Sequence, residues 1–488
     1  MIRRGAGEGL ARSPSVPPGP VARGADSGYN PGMRRSKAFL PFWLPIWMFA
    51  GVILAGSVVL SLEVSLQGQD IAWVDALFTA TSAVCVTGLT AVDTGGQFSR
   101  FGHCAILLLI QLGGLGIMTY TSLAVYLLGR RVSLTDRIAV GQSLMHDPSF
   151  HLGRFLLRVV LGTLAVEFTG ALLLHLADPE GFPAFAALFH AVSAFCNAGF
   201  SLFPDNLMAW RGHWGVNLVI MLLITLGGLG FYVLNELGFL ARKVATLGRK
   251  GLRRRSHLLT WHTRLVLETS LLLSLGGGLF LFGAEMLGGE GHGTWSETLL
   301  ACMFQSVTCR TAGFNTLDPA HMTNISLVCM LMLMFIGGSP GSCAGGVKTT
   351  TFRAWVGFIR AQITGRSQTR VGWYALSPAS LNRALTLVIF ATLLVSAGAV
   401  LLTVTEGGTE PFYAAQGLFL ENLFEVISAF GTVGLSLGLT PRLTTGGKLV
   451  IIALMFVGRL GPIWFLSALQ SWQTDVNYRV PENDLPLG

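Results

Sequence analysis

Residues 77–90 read "LFTATSAVCVTGLT", a half-apolar stretch too short to cross a bilayer, closing on Gly88. It returns as "LFHAVSAFCNAGFS" at 188–201, "MFQSVTCRTAGFNT" at 303–316 and "LFEVISAFGTVGLS" at 423–436. Aligned without gaps, the copies place Gly88, Gly199, Gly313 and Gly434 in one column, 111, 114 and 121 residues apart. A Phe stands ten residues before the glycine in three copies; the third has Met303 there and its Phe one place later. A repeated unit outranks any single-motif reading of such a chain.

The surroundings of each copy say what the unit is. The chain has 488 residues, 51% of them apolar and 12% charged, with a mean hydropathy of +0.60. So little charge points to a membrane protein. Apolar runs fall near 40–62, 104–128, 155–177, 216–240, 265–287, 325–361, 385–404 and 449–469. Each is close to the ~20 residues that a spanning helix needs. The spacing therefore predicts eight crossings, with one short glycine-ended segment between each pair. The fold class is an all-α polytopic membrane protein of four pseudo-symmetric repeats, each a helix, a re-entrant pore loop and a helix around a central ion pore. Irregular backbone at membrane depth survives only against protein or water, and the four repeats supply that cavity. Their bounds are 38–128, 152–240, 265–361 and 380–472, with cytoplasmic tails at 1–37 (expected disordered, or an over-long start) and 473–488 and a basic linker at 241–264.

Charge sets the orientation. The tail 1–37 and the linkers 129–154, 241–264 and 353–383 carry 24 of the 33 Lys and Arg residues, densest in "RKGLRRR" at 249–255. The alternate connections carry 15 of the 25 acids. The positive-inside rule then puts both termini in the cytoplasm. The net charge of +8 follows from topology and favours an anionic lipid bilayer, not nucleic acid. Seven cysteines without a CxxC pair give neither a disulfide framework nor a zinc site. His146 and His151 belong to a linker and make no metal pair.

Glycine suits the repeated column for a physical reason. A filter replaces an ion's water with backbone carbonyls aimed at one axis. Turning them requires left-handed dihedrals, which glycine adopts without steric cost.

The second span of each repeat has its own mark: "LIQLGGLGIM" (109–118), "LITLGGLGFY" (223–232), "MFIGGSPGSC" (334–343) and "MFVGRLGPIW" (455–464). Each begins its glycines 24 to 28 residues past the filter glycine. For Gly113, Gly114, Gly227 and Gly228, a mid-membrane kink and close helix packing are both open. In the third repeat the helix stops, and small residues form a loop under the filter that reads as a gate. Arg459 falls near mid-membrane, where an unpartnered Arg costs at least ~3 kcal/mol. It either faces the cavity on the ion path or bonds carbonyls and locks a kink. The role of Lys348 is open.

With "VTG", "NAG", "RTAG" and "TVG" ending the loops, and with "GGSPGSCAGGVKTT" and "VGRLGP", residues 38–472 resemble the TrkH/KtrB family of bacterial potassium transporters, related to plant and fungal HKT and Trk proteins. The plan is closer to KtrB, because the polar tail cannot make an extra helix pair. The resemblance implies a filter of Cys85, Val86, Thr87 and Gly88; Cys196, Asn197, Ala198 and Gly199; Arg310, Thr311, Ala312 and Gly313; and Gly431, Thr432, Val433 and Gly434. Potassium would be held by the last three of each set. It implies a gate of Gly337, Gly338, Ser339, Pro340, Gly341, Ser342, Cys343, Ala344, Gly345 and Gly346, faced by Arg459. Cys343 stands where relatives more often have Thr or Ser, which would make the loop thiol-sensitive. Gly88, in place of the serine tied to sodium preference, favours potassium. The resemblance further implies a homodimer in the bacterial plasma membrane with a cytosolic TrkA/KtrA-like nucleotide-binding ring. No cofactor is expected in this chain.

Asp93, Glu421 and Glu425 near the outer mouth either gather cations or form a solvated rim. A rival reading couples potassium to sodium or protons through Glu167 or Glu268, each of which has a structural alternative. A less selective sodium/potassium pathway is a further alternative. No catalytic His/Asp/Ser set, aspartate pair or HExxH is present, so the chain reads as a transporter and not an enzyme.

Overall fold

The computed structural model describes residues 44–68, 70–116, 119, 152–252, 259–288, 293–407, 411, 413 and 415–461. The tails, His146, His151 and the last three residues of the cluster at 249–255 lie outside them, as do the ends of the runs 104–128 and 449–469. Each repeat opens with an outer helix: α1 Leu44–Leu60, α4 Leu152–Ala177, α8 Trp261–Gly288 and α12 Pro378–Thr405. A shorter helix comes next: α2 Trp73–Val84, α5 Ala184–Phe195, α9 Trp295–Thr308 and α13 Leu418–Gly431. The third element is the inner helix: α3 Arg100–Leu115, α6 Trp214–Leu229, α10 Asn324–Phe335 and α14 Thr445–Leu460. Two inner helices continue past a break, α6 into α7 Phe231–Leu252 and α10 into α11 Thr349–Ile363. A hairpin, β1 Arg370–Val371 and β2 Tyr374–Ala375, joins α11 to α12.

The eight apolar runs do not give eight unbroken helices. Among the described residues three helices are long and apolar enough to cross a membrane, Phe155–Ala177, Trp261–Gly288 and Pro378–Thr405. One further span is a pair, α6 with α7, bent by 109°. Glycine is the cause. Gly116, Gly230 and Gly461 come directly after α3, α6 and α14 at φ +84°, +96° and +84°, a left-handed turn that a helix cannot continue through. Each inner helix also has a deliberate start. Ser99, His213, Thr323 and Thr444 accept a backbone N–H in the first turn of α3, α6, α10 and α14.

The outer helices expose apolar side chains such as Phe168, Leu172, Leu272, Leu279, Leu393 and Leu401, whereas the short helices bury most of their residues. An apolar rim around a buried polar centre is the packing that lipid favours. Glu285 on α8 accepts Thr323 N–H at 3.1 Å and Ser326 Oγ–H at 2.5 Å, fixing where α10 begins.

Candidate ion pathway

The short helices α2, α5, α9 and α13 run straight into the glycine-ended segments. Their last carbonyls carry the negative end of each helix dipole, roughly half an elementary charge apiece. The four segments close into a ring. A Cβ built on Gly88 would lie 2.4 Å from the Ala198 carbonyl oxygen; on Gly199, 2.7 Å from that of Ala312. On Gly313 it would meet the Val433 oxygen at 2.6 Å, and on Gly434 the Thr87 oxygen at 2.2 Å. The first repeat thus touches the second, the second the third, the third the fourth and the fourth the first. A side chain at any of the four would displace a neighbouring carbonyl.

The backbone has a second left-handed position per repeat. Val86, Asn197, Thr311 and Thr432 stand two residues before the glycines at φ +56°, +59°, +75° and +50°, and the glycines themselves at +87°, +69°, +79° and +93°. Left-handed backbone is unfavourable for a β-branched residue and is kept only where its surroundings enforce it. Two left-handed residues around one of ordinary φ turn successive peptide planes alike.

Serine hydrogen bonds, which no motif in the sequence announces, hold this shape. Gly88 N–H donates to Ser82 Oγ at 3.0 Å, and Gly434 N–H to Ser428 Oγ at 3.1 Å. The carbonyls of Ser82, Ser193 and Ser428 accept from Thr87, Ala198 and Val433 at 2.8, 2.7 and 2.8 Å. Ser193 instead donates its Oγ–H to Phe200 O at 2.8 Å. The available signal is a serine six residues before the glycine in three of the four copies, with Val307 in the third.

The filter sets do not point inward as whole side chains. Cys85 and Cys196 cap α2 and α5 and are buried, with Cys196 Sγ 3.7 Å from Glu167 Oε1 and from Gln111 Oε1. Arg310 is turned onto α8, where its guanidinium donates to Ser270 O, Ser270 Oγ and Ser274 Oγ at 3.2, 3.2 and 3.3 Å. Gly431 closes α13 against the Met334 carbonyl. The buried hydroxyls of Thr87 and Thr432 have no hydrogen-bond partner among the described residues.

Below the ring lies the loop from Gly337 to Gly346, between α10 and α11. A Cβ on Gly345 would meet Thr432 Oγ1 at 2.3 Å, and one on Gly337 would approach Thr311 Cγ2 at 3.2 Å. The loop occupies the broken end of α6: Ser339 N–H and Cys343 N–H donate to Gly228 O and Gly227 O at 3.0 and 3.2 Å. Phe231 N–H, at the start of α7, returns a bond to Gly341 O at 2.9 Å, beside Pro340. Internal bonds tighten it, Ser342 Oγ–H to Ser339 O at 2.7 Å and Ala344 N–H to Ser342 Oγ at 3.3 Å. Gly338 O accepts from Thr349 N–H at 3.0 Å and Gly346 has φ +64°.

Both cations at this depth are bound to carbonyls. Arg459 donates to Cys343 O of the loop and to Gly113 O, and at 3.1 Å to Gly114 O. It bonds carbonyls, as one of its two readings held, but it ties α14 to α3 and the loop instead of locking its own kink. Lys348 Nζ donates to Ala344 O at 2.6 Å. The paired glycines divide the two readings left open for them. Gly113 and Gly227 pack, since a Cβ there would lie 1.9 and 1.8 Å from the carbonyls of Val84 and Phe195. The breaks come three residues later.

The acids expected at the mouth are engaged. Glu425 is buried and accepts from Ser436 Oγ at 2.8 Å and from Thr440 Oγ1. Glu421 pairs with Arg442 at 2.9 Å, and Asp93 caps the one-turn helix Thr94–Gln97. Glu167 accepts from Gln111 Nε2 at 3.2 Å, and Glu268 faces Arg353 at 3.8 Å, so both have structural partners. The Cys343 thiol is fully buried, which shields it from aqueous reagents.

The sequence profile described as TrkH, cation transport protein, matches residues 50–468. The chain is 40% identical to the Ktr system potassium uptake protein B of Bacillus subtilis, over 92% of this chain and 96% of that protein. It is 35% identical to the potassium/sodium uptake protein NtpJ of Enterococcus hirae, over 93% and 99%. Its fold is similar to the crystal structure of the potassium transporter TrkH from Vibrio parahaemolyticus, with a TM-score of 0.68 at 20% identity, over 91% of this chain and 87% of that one.

Proposed function

The chain belongs to the TrkH family of cation transport proteins, and from that premise we propose that it takes up potassium through the four-glycine ring. The observation that carries the reading is the closed circuit of Gly88, Gly199, Gly313 and Gly434, each backed by the next repeat's carbonyl. A dehydrated cation at that level meets carbonyl oxygens in place of its water. The ends of four helix dipoles offset its charge in a low-dielectric surround. The driving force is the membrane potential, ~2.3 kcal/mol per charge per 100 mV, which draws cations inward without ATP hydrolysis.

In this reading the loop Gly337–Gly346 is the gate. It closes the path beneath the ring while Arg459 and Lys348 hold its carbonyls, and it opens when those bonds are exchanged. The relatives named for a Ktr system support a regulatory partner. In this reading the partner is a cytosolic nucleotide-binding ring on the cytoplasmic face, and the transporter is a homodimer whose termini the basic linkers place in the cytoplasm. A second reading, a pathway that also passes sodium, draws on the likeness to a protein named for both ions. Potassium-limited growth of an uptake-deficient strain, with potassium and sodium flux into vesicles holding purified protein, tests the two. Rescue with flux favouring potassium supports the first. Equal flux of both ions supports the second, and no flux of either sinks both.

A further inference from the structure

Between Asp318 and Glu406 the sequence has no acidic residue, but it has Lys348, Arg353, Arg360, Arg366, Arg370 and Arg383. Within this stretch, between α11 and α12, lies an exposed hairpin. The hairpin β1–β2 turns at Gly372, φ +62°, and presents Trp373 at 89% and Tyr374 at 58% exposure. An isolated two-stranded hairpin is marginal in water, and this one is braced from two sides. Tyr374 packs on Trp261, the first residue of α8, with ring centroids 5.2 Å apart. The bare Cα of Gly357 on α11 lets Arg370 O come so close that a Cβ there would stand 3.0 Å from it.

Its height is set by two spanning helices. α8 and α12 each have 28 residues. At 1.5 Å per residue that is about 42 Å, against a hydrocarbon core of about 30 Å. Both therefore overrun the core by about a turn at each end. The hairpin packs on the first residue of α8 and ends three residues before α12, so it lies in that overrun, at the headgroups. Arg366, Arg370 and Arg383 are exposed there. Nearby acids are spoken for: Glu268 by Arg353, and Glu236, which accepts Thr260 N–H at 2.6 Å ahead of α8. α11 exposes apolar side chains as well, with Ile363, its last residue, 80% exposed. Trp and Tyr amid uncompensated arginines match the boundary between acyl chains and phosphate headgroups.

We propose that the hairpin with Arg366, Arg370 and Arg383 is an anionic-phospholipid site at the membrane surface, with the Trp373 and Tyr374 rings at glycerol depth and the guanidinium groups on headgroup phosphates. Through Gly357 the site bears on α11, the helix that begins where the gate loop ends. The proposal rests on the membrane reading of the chain but not on potassium passage.

The test uses the full chain in bilayer discs of equal phosphatidylglycerol and phosphatidylcholine, with retained lipids counted by native mass spectrometry. Wild type is expected to keep phosphatidylglycerol preferentially. Each arginine lost near an anionic surface is expected to lower that affinity about fivefold, the equivalent of ~1 kcal/mol. The Arg366→Gln/Arg370→Gln/Arg383→Gln variant is expected to lose the preference, and the corresponding Lys variant to keep most of it. Raising salt is expected to weaken retention by wild type, a readout independent of how any variant folds. Wild type showing no preference, the same preference in the Gln variant, or retention indifferent to salt overturns the proposal. So does a Gln variant that keeps its lipid but no longer binds a cytosolic nucleotide-binding subunit, since the face then belongs to a protein. Because lipid is counted without any flux, a protein that retains phosphatidylglycerol but passes no potassium breaks only the transport reading.

Discussion

At the scale of single residues, Gly434 is the least replaceable of the ring, with φ +93° and the Thr87 carbonyl 2.2 Å from where a Cβ would stand. Left-handed backbone costs alanine roughly 1–2 kcal/mol before any clash, so Gly434→Ala is expected to abolish uptake while the protein still elutes as a folded species. Ser82 and Ser428 act one step removed, through the N–H groups they accept. Ser82→Ala leaves Gly88 N–H buried without its acceptor, a cost of about 1–3 kcal/mol. The expected readout is a lower potassium-to-sodium flux ratio with total flux retained; an unchanged ratio removes Ser82 from the filter. The glycine column was legible because only glycine serves there and repetition multiplied the signal. The left-handed Val86 and Thr432 were not, because nothing in a β-branched residue announces a conformation that it disfavours.

At the scale of elements, breaking a helix has a use. Where α3 and α6 stop, unpaired carbonyls remain, and the protein fills them differently: Arg459 at α3, the loop at α6. The loop Gly337–Gly346 is thus held by the same groups that the broken helices leave open. Each bond from a charged donor is worth about 1.5–3 kcal/mol, comparable to the gap between two populated conformations. Arg459→Ala is expected to raise basal flux severalfold without the regulatory subunit, and flux at or below wild type counts against the loop as a gate. Sequence spacing located the glycines of all four inner helices. Which of them packs and which breaks depended on what lies across from each, the Val84 and Phe195 carbonyls in the packed cases.

At the scale of the whole molecule, four repeats in one chain must close a circle with no covalent joint between the last and the first. Lys448 at the start of α14 donates to Asp75 Oδ1 on α2 at 2.5 Å, both largely buried. Removing one partner of a buried pair is costlier than the pair is worth. Asp75→Asn and Lys448→Met are each expected to lower the detergent melting temperature, and a double-mutant cycle to show coupling of about 1–3 kcal/mol; additive effects would mean that the seam closes without the pair. Since Glu167 and Glu268 are taken up by neighbours, reversal potentials are expected to follow the potassium gradient and ignore opposing sodium and proton gradients.

The sequence by itself determined the class, the repeat count and the glycine column, because apolar length, helix-breaking residues and periodicity are local properties that each segment carries alone. Tertiary structure decided which groups meet. It took Arg459 to the carbonyls of another repeat, buried Glu425 under two hydroxyls and turned Arg310 onto α8. A polar side chain at membrane depth must find a partner, and that partner lies up to hundreds of residues away, where no spacing rule reaches.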